Sequence, residues 1–430
     1  MVQESRLMLE VTAEKPMEDG YYYASLYLPA TKNELEDARQ RARLTGRDVG
    51  YVGIEITGCP QLPALVDTRL DCPTVDELNF FAKRLASISS SEMIALGAIF
   101  SHRKERGDYE NGLSMKELIN LTYGLDNLMV AANVEDNIAL GRFAIENEMH
   151  HHIPGLKDVN PKFLNVQQIG QEIRDMDGGL FYCGCYVVAG EYEYQEVYDG
   201  ENLPKQTNED EFAVFSITLR EKTDETTPAK DILIDLPMER DYLEKFVANK
   251  LSAPLENYEG VRFESAIPYI NRFMLMEEMD INTINDIAYS FKQASEFDQI
   301  KFKAAMEGFK IQTSKEALDI LSRISEYQLA HYCNDEVDFF KEYLTNNMDG
   351  RFDAKWLKNI PCDTSGRMLL ERTGAVVTEY GIISKGRGNM FAPISYDEPE
   401  ETQTESEDQE MEDAEEEIEE HSMGGLSMLV

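Results

Sequence analysis

Basic residues are scarce in this chain. Its 430 residues hold 41 Lys and Arg against 81 Asp and Glu, a formal charge of −40. Binding to phosphates needs a basic patch that displaces counterions, so this balance excludes nucleic acid as the partner. It excludes an anionic membrane surface on the same ground. Long apolar runs are absent as well, and no stretch of 18 uncharged apolar residues predicts a membrane span. The opening Met1–Glu10 is interrupted by Glu4 and Arg6, which predicts no signal peptide. Cysteine is sparse. The spacings of Cys59, Cys72, Cys183, Cys185, Cys333 and Cys362 match no zinc ribbon, and Cys183-Gly-Cys185 lacks the two-residue spacer of redox motifs. Reduced, mostly packed thiols in a cytoplasmic protein are expected.

Motifs that carry chemistry are also missing. Three consecutive histidines, His150–His152, cannot converge on one ion, because neighbours diverge on a helix or a strand. An exposed loop is expected there. Asp175-Met-Asp177-Gly178 faintly echoes a calcium loop, but its twelfth position is Tyr186 rather than an acid. Lys385-Gly-Arg387-Gly388 lacks Walker spacing. The chain has no Gly-x-Ser-x-Gly elbow and no His-Glu-x-x-His. No enzyme activity, cofactor or metal is therefore expected.

What is present is apolar content of 42%, enough to build cores despite the charge. Fifteen acids and no base fall in Asp397–Glu420. Residues 1–205 carry −14 and residues 206–396 carry −11, so each part is acidic in its own right.

The sequence repeats itself. Leu28-Pro29 and Cys59-Pro60 recur as Leu236-Pro237 and Ile267-Pro268, 208 residues later. Leu78-Asn79 to Ala98 matches Ile284-Asn285 to Ala304 at offset 206, and Ser114–Glu117 matches Thr313–Glu316 at offset 199. Gly179 and Gly374 open similar apolar endings at offset 195. The offset drifts downward in order, as changes of loop length produce. Ser or Thr followed three residues later by an acid predicts helix starts at Thr74, Ser89 and Ser114, and again at Thr283, Ser295 and Thr313. Tyr21–Leu28 and Phe212–Leu219 read as opening strands, Asn33–Leu44 and Arg240–Leu251 as helices, and Tyr51–Thr57 and Val261–Ser265 as strands. A strand pair around Val187-Val188 or Ile382-Ile383 closes each repeat.

The expected fold is α+β. Two tandem elongated repeats span residues 1–205 and 206–396. Each comprises three small modules: β-α-β, a short helical cluster, and an α/β piece with a closing hairpin. The linker is expected at Gly200–Asp210, and 397–430 has the composition of a disordered acidic tail.

The second repeat resembles the ArdA family of antirestriction proteins. The resemblance rests on Asp280–Tyr289, on the acidic run into an aromatic helix at Asn334–Leu344, on Trp356-Leu357, on Asp363-Thr-Ser-Gly366-Arg367 and on Gly374–Ile383. Met368 stands where the family's Gly-Arg-Asp has its acid. The first repeat fits at Gly20-Tyr-Tyr-Tyr-Ala-Ser-Leu-Tyr27, but Ile169-Gly170-Gln171 lacks the Arg. Together the copies cover about residues 16–390.

The resemblance implies an elongated acidic DNA mimic that occupies the DNA-binding groove of type I restriction–modification enzymes, so that mobile DNA escapes restriction. It implies no active site and a homodimer, or here an internal pseudo-dimer. Duplex DNA carries one charge per ~1.7 Å, so the −25 on the repeats equals roughly 40 Å of duplex, about 12 base pairs. Candidate phosphate-like acids are Asp126, Glu135, Asp136, Glu146 and Glu148 in the first repeat. Those of the second are Glu326, Asp335, Glu336, Asp338 and Glu342. The alternative is a generic acidic interaction protein or chaperone whose tail binds a basic protein.

Overall fold

The computed structural model describes residues 7–14, 21–44, 52–157, 159–188, 192, 195–204, 213–221, 231–251, 257–270, 280–348, 359–386 and 388–393. The acidic segment 397–430, Trp356-Leu357 and most of the expected linker lie outside them.

The first half begins with two antiparallel strands, β1 (Leu7–Glu14) and β2 (Tyr21–Leu28). Helix α1 (Lys32–Arg41) follows, then β3 (Val52–Gly58), which pairs with β1 to give the order β2-β1-β3. Period-two alternation buries Leu7, Leu9, Val11 and Ala13 with Ala24, Leu26 and Leu28 on one face. Thr31 caps α1 with a full capping box through Glu34. Helices α2 (Val75–Ser87), α3 (Ser90–Glu105) and α4 (Met115–Asn120) cover that face, and start at Thr74, Ser89 and Ser114 as expected. Short strands β4 (Leu70–Asp71) and β5 (Leu113–Ser114) pair in parallel beside them. Then come β6 (Met129–Ala132), α5 (Asn137–Glu146), α6 (Val166–Asp177), β7 (Leu180–Tyr182) and β8 (Cys185–Val188), with sheet order β6-β8-β7.

The second half runs through the same series. It comprises β9 (Phe215–Glu221), β10 (Asp231–Leu236), α7 (Arg240–Lys250), β11 (Tyr258–Ser265), α8 (Ile281–Gln293), α9 (Glu296–Gly308) and α10 (Ser314–Ser322). It closes with β12 (Tyr327–Ala330), α11 (Glu336–Asn347), α12 (Cys362–Thr373), β13 (Val376–Thr378) and β14 (Gly381–Lys385). Its sheets repeat the orders of the first half, β10-β9-β11 and β12-β14-β13.

Three local expectations change. The opening module is β-β-α-β, because Leu7–Glu14 and Asp231–Leu236 are strands as well. Tyr21–Leu28 therefore corresponds to Asp231–Leu236, not to Phe215–Glu221. The matched Leu28-Pro29 and Leu236-Pro237, both cis, mark the true register. The closing hairpins are three-stranded sheets, completed by β6 and β12. The start of α8 is Asp280, whose carboxylate accepts the Thr283 N–H, rather than Thr283 itself.

Two details explain why the same residues recur. Asn79 accepts the Ala30 N–H at 2.7 Å and donates to the Ala30 carbonyl at 3.0 Å. Asn285, at offset 206, makes the same pair with Met238 at 2.8 Å each. Each amide ties the turn after a strand to the first helix of the helical cluster, α2 or α8, where otherwise a peptide group would be left unsatisfied. In the closing sheets, Val187 joins the large core of the first half while its neighbour Tyr186 joins a small core with α5 and α6. Ile383 and Ile382 divide in the same way between the two cores of the second half. A strand buried on both faces explains the unbroken apolar run at each ending.

Candidate partner-binding surface

The ten candidate acids fall around one helix in each half and the turn that precedes its sheet. Asp136 caps α5 by accepting the Ala139 N–H at 2.7 Å. Asp335, its counterpart at offset 199, caps α11 by accepting from Val337 and Asp338 at 2.9 and 2.8 Å. These two carboxylates satisfy orphan donors and the positive end of the helix, so their position is structural as well as exposed. Glu135 precedes its cap. Glu146 lies in the last turn of α5, and Glu148 follows in a left-handed conformation. Glu336 and Asp338 occupy the first turn of α11, and Glu342 accepts from Asn346 at 2.9 Å. Asp126 and Glu326 lie in the 3-10 turns Leu125–Asn127 and Ile324–Glu326.

The two halves differ in how much charge they leave open. All five first-half acids are exposed, and none forms an ion pair with a described cation. In the second half only Asp335 and Glu342 are fully exposed. Asp338 accepts the Asn334 N–H at 3.0 Å and lies 3.9 Å from Lys341, and Glu326 lies 4.0 Å from Arg323.

Glycine sets the position of these helices. A Cβ on Gly141 would lie 1.8 Å from the Val166 carbonyl oxygen, and one on Gly170 would lie 1.9 Å from that of Asn137, so α5 and α6 touch backbone to backbone. Gly366 makes the same approach, 2.0 Å from the Glu336 carbonyl oxygen. The Gly of the Gly366-Arg367 motif and Gly170 thus have a packing reason. Arg367 is exposed and only loosely paired with Asp363 at 4.0 Å. In the first half Gln171 instead accepts from Asn137 at 2.7 Å.

The halves meet at a buried polar junction that the sequence reading did not single out. Lys303, from α9, donates to Asp37 at 2.8 Å and to Gln40 at 2.9 Å, both on α1. Asp37 also accepts from Tyr380 at 2.6 Å and from Arg41 at 2.9 Å. Burial lowers the Lys303 pKa, and the Asp37 charge opposes that. Arg43 enters the same seam, donating to the carbonyls of His331 (2.6 Å) and Glu379 and lying over the Tyr22 ring at 5.4 Å. His331 holds its Nδ1 2.8 Å from the Tyr380 carbonyl, and burial, then the nearby Arg43, pushes its pKa down to about 4. Glu307 accepts the Glu379 N–H with both oxygens, and burial, reinforced by the Glu379 charge, raises its pKa to about 7. Asn334 donates to the Tyr21 carbonyl at 3.3 Å, which sets the acidic start of α11 beside β2.

One signal for this junction was in the sequence. Lys303 interrupts the buried run Phe302–Met306 at the position where the first half has Gly97, also at offset 206. A lysine in a buried helical run calls for an anion from elsewhere, but nothing local says which one.

Met149–His152 form a 3-10 turn rather than a loop, and His150 is buried with neither ring nitrogen hydrogen-bonded, while His151 and His152 are exposed. Three cysteines are buried, but Cys72 and Cys183 are exposed and Cys362 half-buried, so packing accounts for only some of the thiols. Asp177 ends α6 and accepts the Gly179 N–H at 3.0 Å. Among the described residues no three His, Cys, Asp or Glu are grouped so as to hold a metal ion, and no helix is long and apolar enough to cross a membrane. The chain matches no protein-family model and no curated protein.

Proposed function

We propose that the chain is a cytoplasmic antirestriction protein of the ArdA type, two tandem elongated repeats with an acidic tail. It acts as a DNA mimic in the DNA-binding groove of a type I restriction–modification enzyme. The role is binding rather than catalysis. The observation that carries the reading is the first-half set Asp126, Glu135, Asp136, Glu146 and Glu148. These are five exposed carboxylates on one rigid helix–sheet module, with no described cation to neutralise them. Unpaired carboxylates on a fixed scaffold present a field that a groove lined with Lys and Arg recognises in place of phosphates. The ordered motifs of the family and the two-fold recurrence of sheets, clamps and glycines support the same reading.

The fifteen acids of Asp397–Glu420 favour a second reading, a generic acidic protein whose tail binds a basic partner. One competition assay separates the two. Labelled duplex is bound to a purified type I methyltransferase core, and the full chain and a chain ending at Tyr396 are titrated in at several salt concentrations. Stoichiometric displacement by both, weakening with salt, is the expected result. Displacement by the full chain alone assigns binding to the tail, and displacement by neither removes the antirestriction reading for that enzyme.

A further inference from the structure

The outward faces of the two N-terminal sheets are built on one register and are both acidic, but they differ in whether cations stand among the acids. In the second half two arginines stand among the four acids of the face, Asp231, Asp235, Glu259 and Glu264. Arg220 pairs in a two-pronged bridge with Asp231 across the strands, at 2.8 and 2.9 Å, and Arg262 pairs with Glu264. The ladders place Thr12 and Tyr23 where Arg220 and Asp231 lie, and Glu10 and Glu55 where Thr218 and Arg262 lie. The first-half face therefore has no cation among its described residues.

Instead, Glu10 and Glu55 stand directly opposite each other in the ladder, and neither has an ion-pair partner among the described residues. Like charges opposed across strands destabilise a sheet. On β2 beside them, Tyr21 and Tyr23 are 45% and 57% exposed with rings 6.3 Å apart, and Tyr27 continues the column. Glu10 faces Ser25, diagonal to both Tyr23 and Tyr27. Arg41, which donates to the Ser25 carbonyl at the strand's edge, is already committed to Asp37 and Glu379.

We infer that this face, centred on Glu10, Glu55, Tyr21 and Tyr23, binds guanidinium or ammonium side chains of a basic protein segment. A cation there occupies the place that Arg262 and Arg220 fill in the second half. It relieves the opposed carboxylates and lies over tyrosine rings, whose faces attract cations. The face is separate from the helix-borne acids. It gives the basic partner of the proposed function a second contact, and for the identity of that partner it rests on that reading.

The test titrates a short fluorescein-labelled arginine–glycine peptide into the full-length protein and reads anisotropy. The comparison is between wild type, Glu10→Gln/Glu55→Gln and a charge-matched control, Glu105→Gln/Glu110→Gln, on exposed acids elsewhere. The tail is common to all three. The sheet variant is expected to bind about tenfold more weakly and the control within about twofold. The sheet variant should also melt at a higher temperature than wild type, because the like-charge opposition is gone, so weaker binding cannot be read as misfolding. Tyr21→Phe/Tyr23→Phe keeps the affinity and Tyr21→Ser/Tyr23→Ser lowers it. Equal losses in sheet variant and control, or no saturable binding by wild type, overturn the inference. The DNA-displacement assay separates the failures: displacement with no peptide effect sinks only this inference, and a peptide effect without displacement sinks only the antirestriction reading.

Discussion

Removing Asp37 is expected to damage the junction between the halves more than removing Lys303 does, although the two form one ion pair. The asymmetry follows from what each leaves behind. Asp37→Asn strands an ammonium whose side chain is 2% exposed, with only the Gln40 amide oxygen as an original acceptor. Breaking a buried pair in this way costs about 3–5 kcal/mol. Lys303→Met leaves Asp37 with the Arg41 guanidinium and the Tyr380 hydroxyl, and adds an apolar side chain of similar length. The loss is then one charge-assisted hydrogen bond or two, about 1.5–3 kcal/mol. In Asp37→Asn/Lys303→Met the buried ammonium is gone and Arg41 keeps Glu379, so the double variant should be more stable than Asp37→Asn alone, with a coupling of at least about 1 kcal/mol. Urea titration followed by circular dichroism gives the three stabilities. Hydrogen exchange over α1 and β14 separates opening of the seam from global unfolding. Equal and additive costs for the two single variants would refute the assignment of Asp37 as the hub.

The other expectations concern pH, clamps and close packing. Glu307, with its pKa raised to about 7, contributes stability that is complete below its ordinary value of 4.5 and is lost as pH rises through about 7. Glu307→Gln should therefore stabilise the protein at pH 8 and change little at pH 4.5, checked by thermal melts at both. His331, lowered to about 4, works in the opposite sense, losing stability as pH falls from 6.5 toward 4, so a His331→Asn variant should flatten the acid limb of the same profile. Asn79→Ala and Asn285→Ala each leave an amide and a carbonyl unsatisfied, at about 2–4 kcal/mol apiece. Denaturant midpoints should fall similarly for the two if the clamps are equivalent. Gly366→Ala places a methyl group 2.0 Å from the Glu336 carbonyl oxygen, so α11 and α12 must separate. Proteolysis within that pair should rise while the larger core of the second half stays protected.

Sequence alone reveals what is local and periodic. Capping pairs such as Thr74–Glu77 and Ser89–Glu92 mark helix starts because both partners lie within one turn. The offsets of Leu28-Pro29 and Asn79 carry the recurrence because the same clamp is built twice. One strand of each N-terminal sheet, the first in the first half and the second in the second half, was missed for an equally physical reason. Leu7–Glu14 and Asp231–Leu236 alternate apolar and polar residues with charges on the open face, a weaker signal than the aromatic strand beside each. The acids could be named, but their pairing could not. The sequence does not distinguish Asp338, half-buried and accepting the Asn334 N–H, from Glu135, which is exposed with no ion pair among the described residues. The junction was out of reach altogether, because its partners lie 266 residues apart at Asp37 and Lys303.

That junction also constrains how the duplication is used. An internal two-fold would require the reciprocal contact, α7 of the second half against α3 of the first. At the matched positions Asp37 becomes Lys245 and Lys303 becomes Gly97, so neither charge of the pair is available there. The hydrogen bonds and ion pairs between the described parts of the halves all run from the N-terminal module of the first half onto the second. A head-to-tail contact of this kind propagates into filaments if its two surfaces stay complementary on every copy. Here divergence has reversed the charge on one unused surface, at Lys245, and removed it from the other, at Gly97, which limits the docking to a single step. The same divergence separates the two outer sheet faces, leaving one with arginines among its acids and the other with none among its described residues. The two halves therefore share a scaffold, but among the described residues it is the first whose outer sheet face and candidate helix-module acids have no cation paired with them.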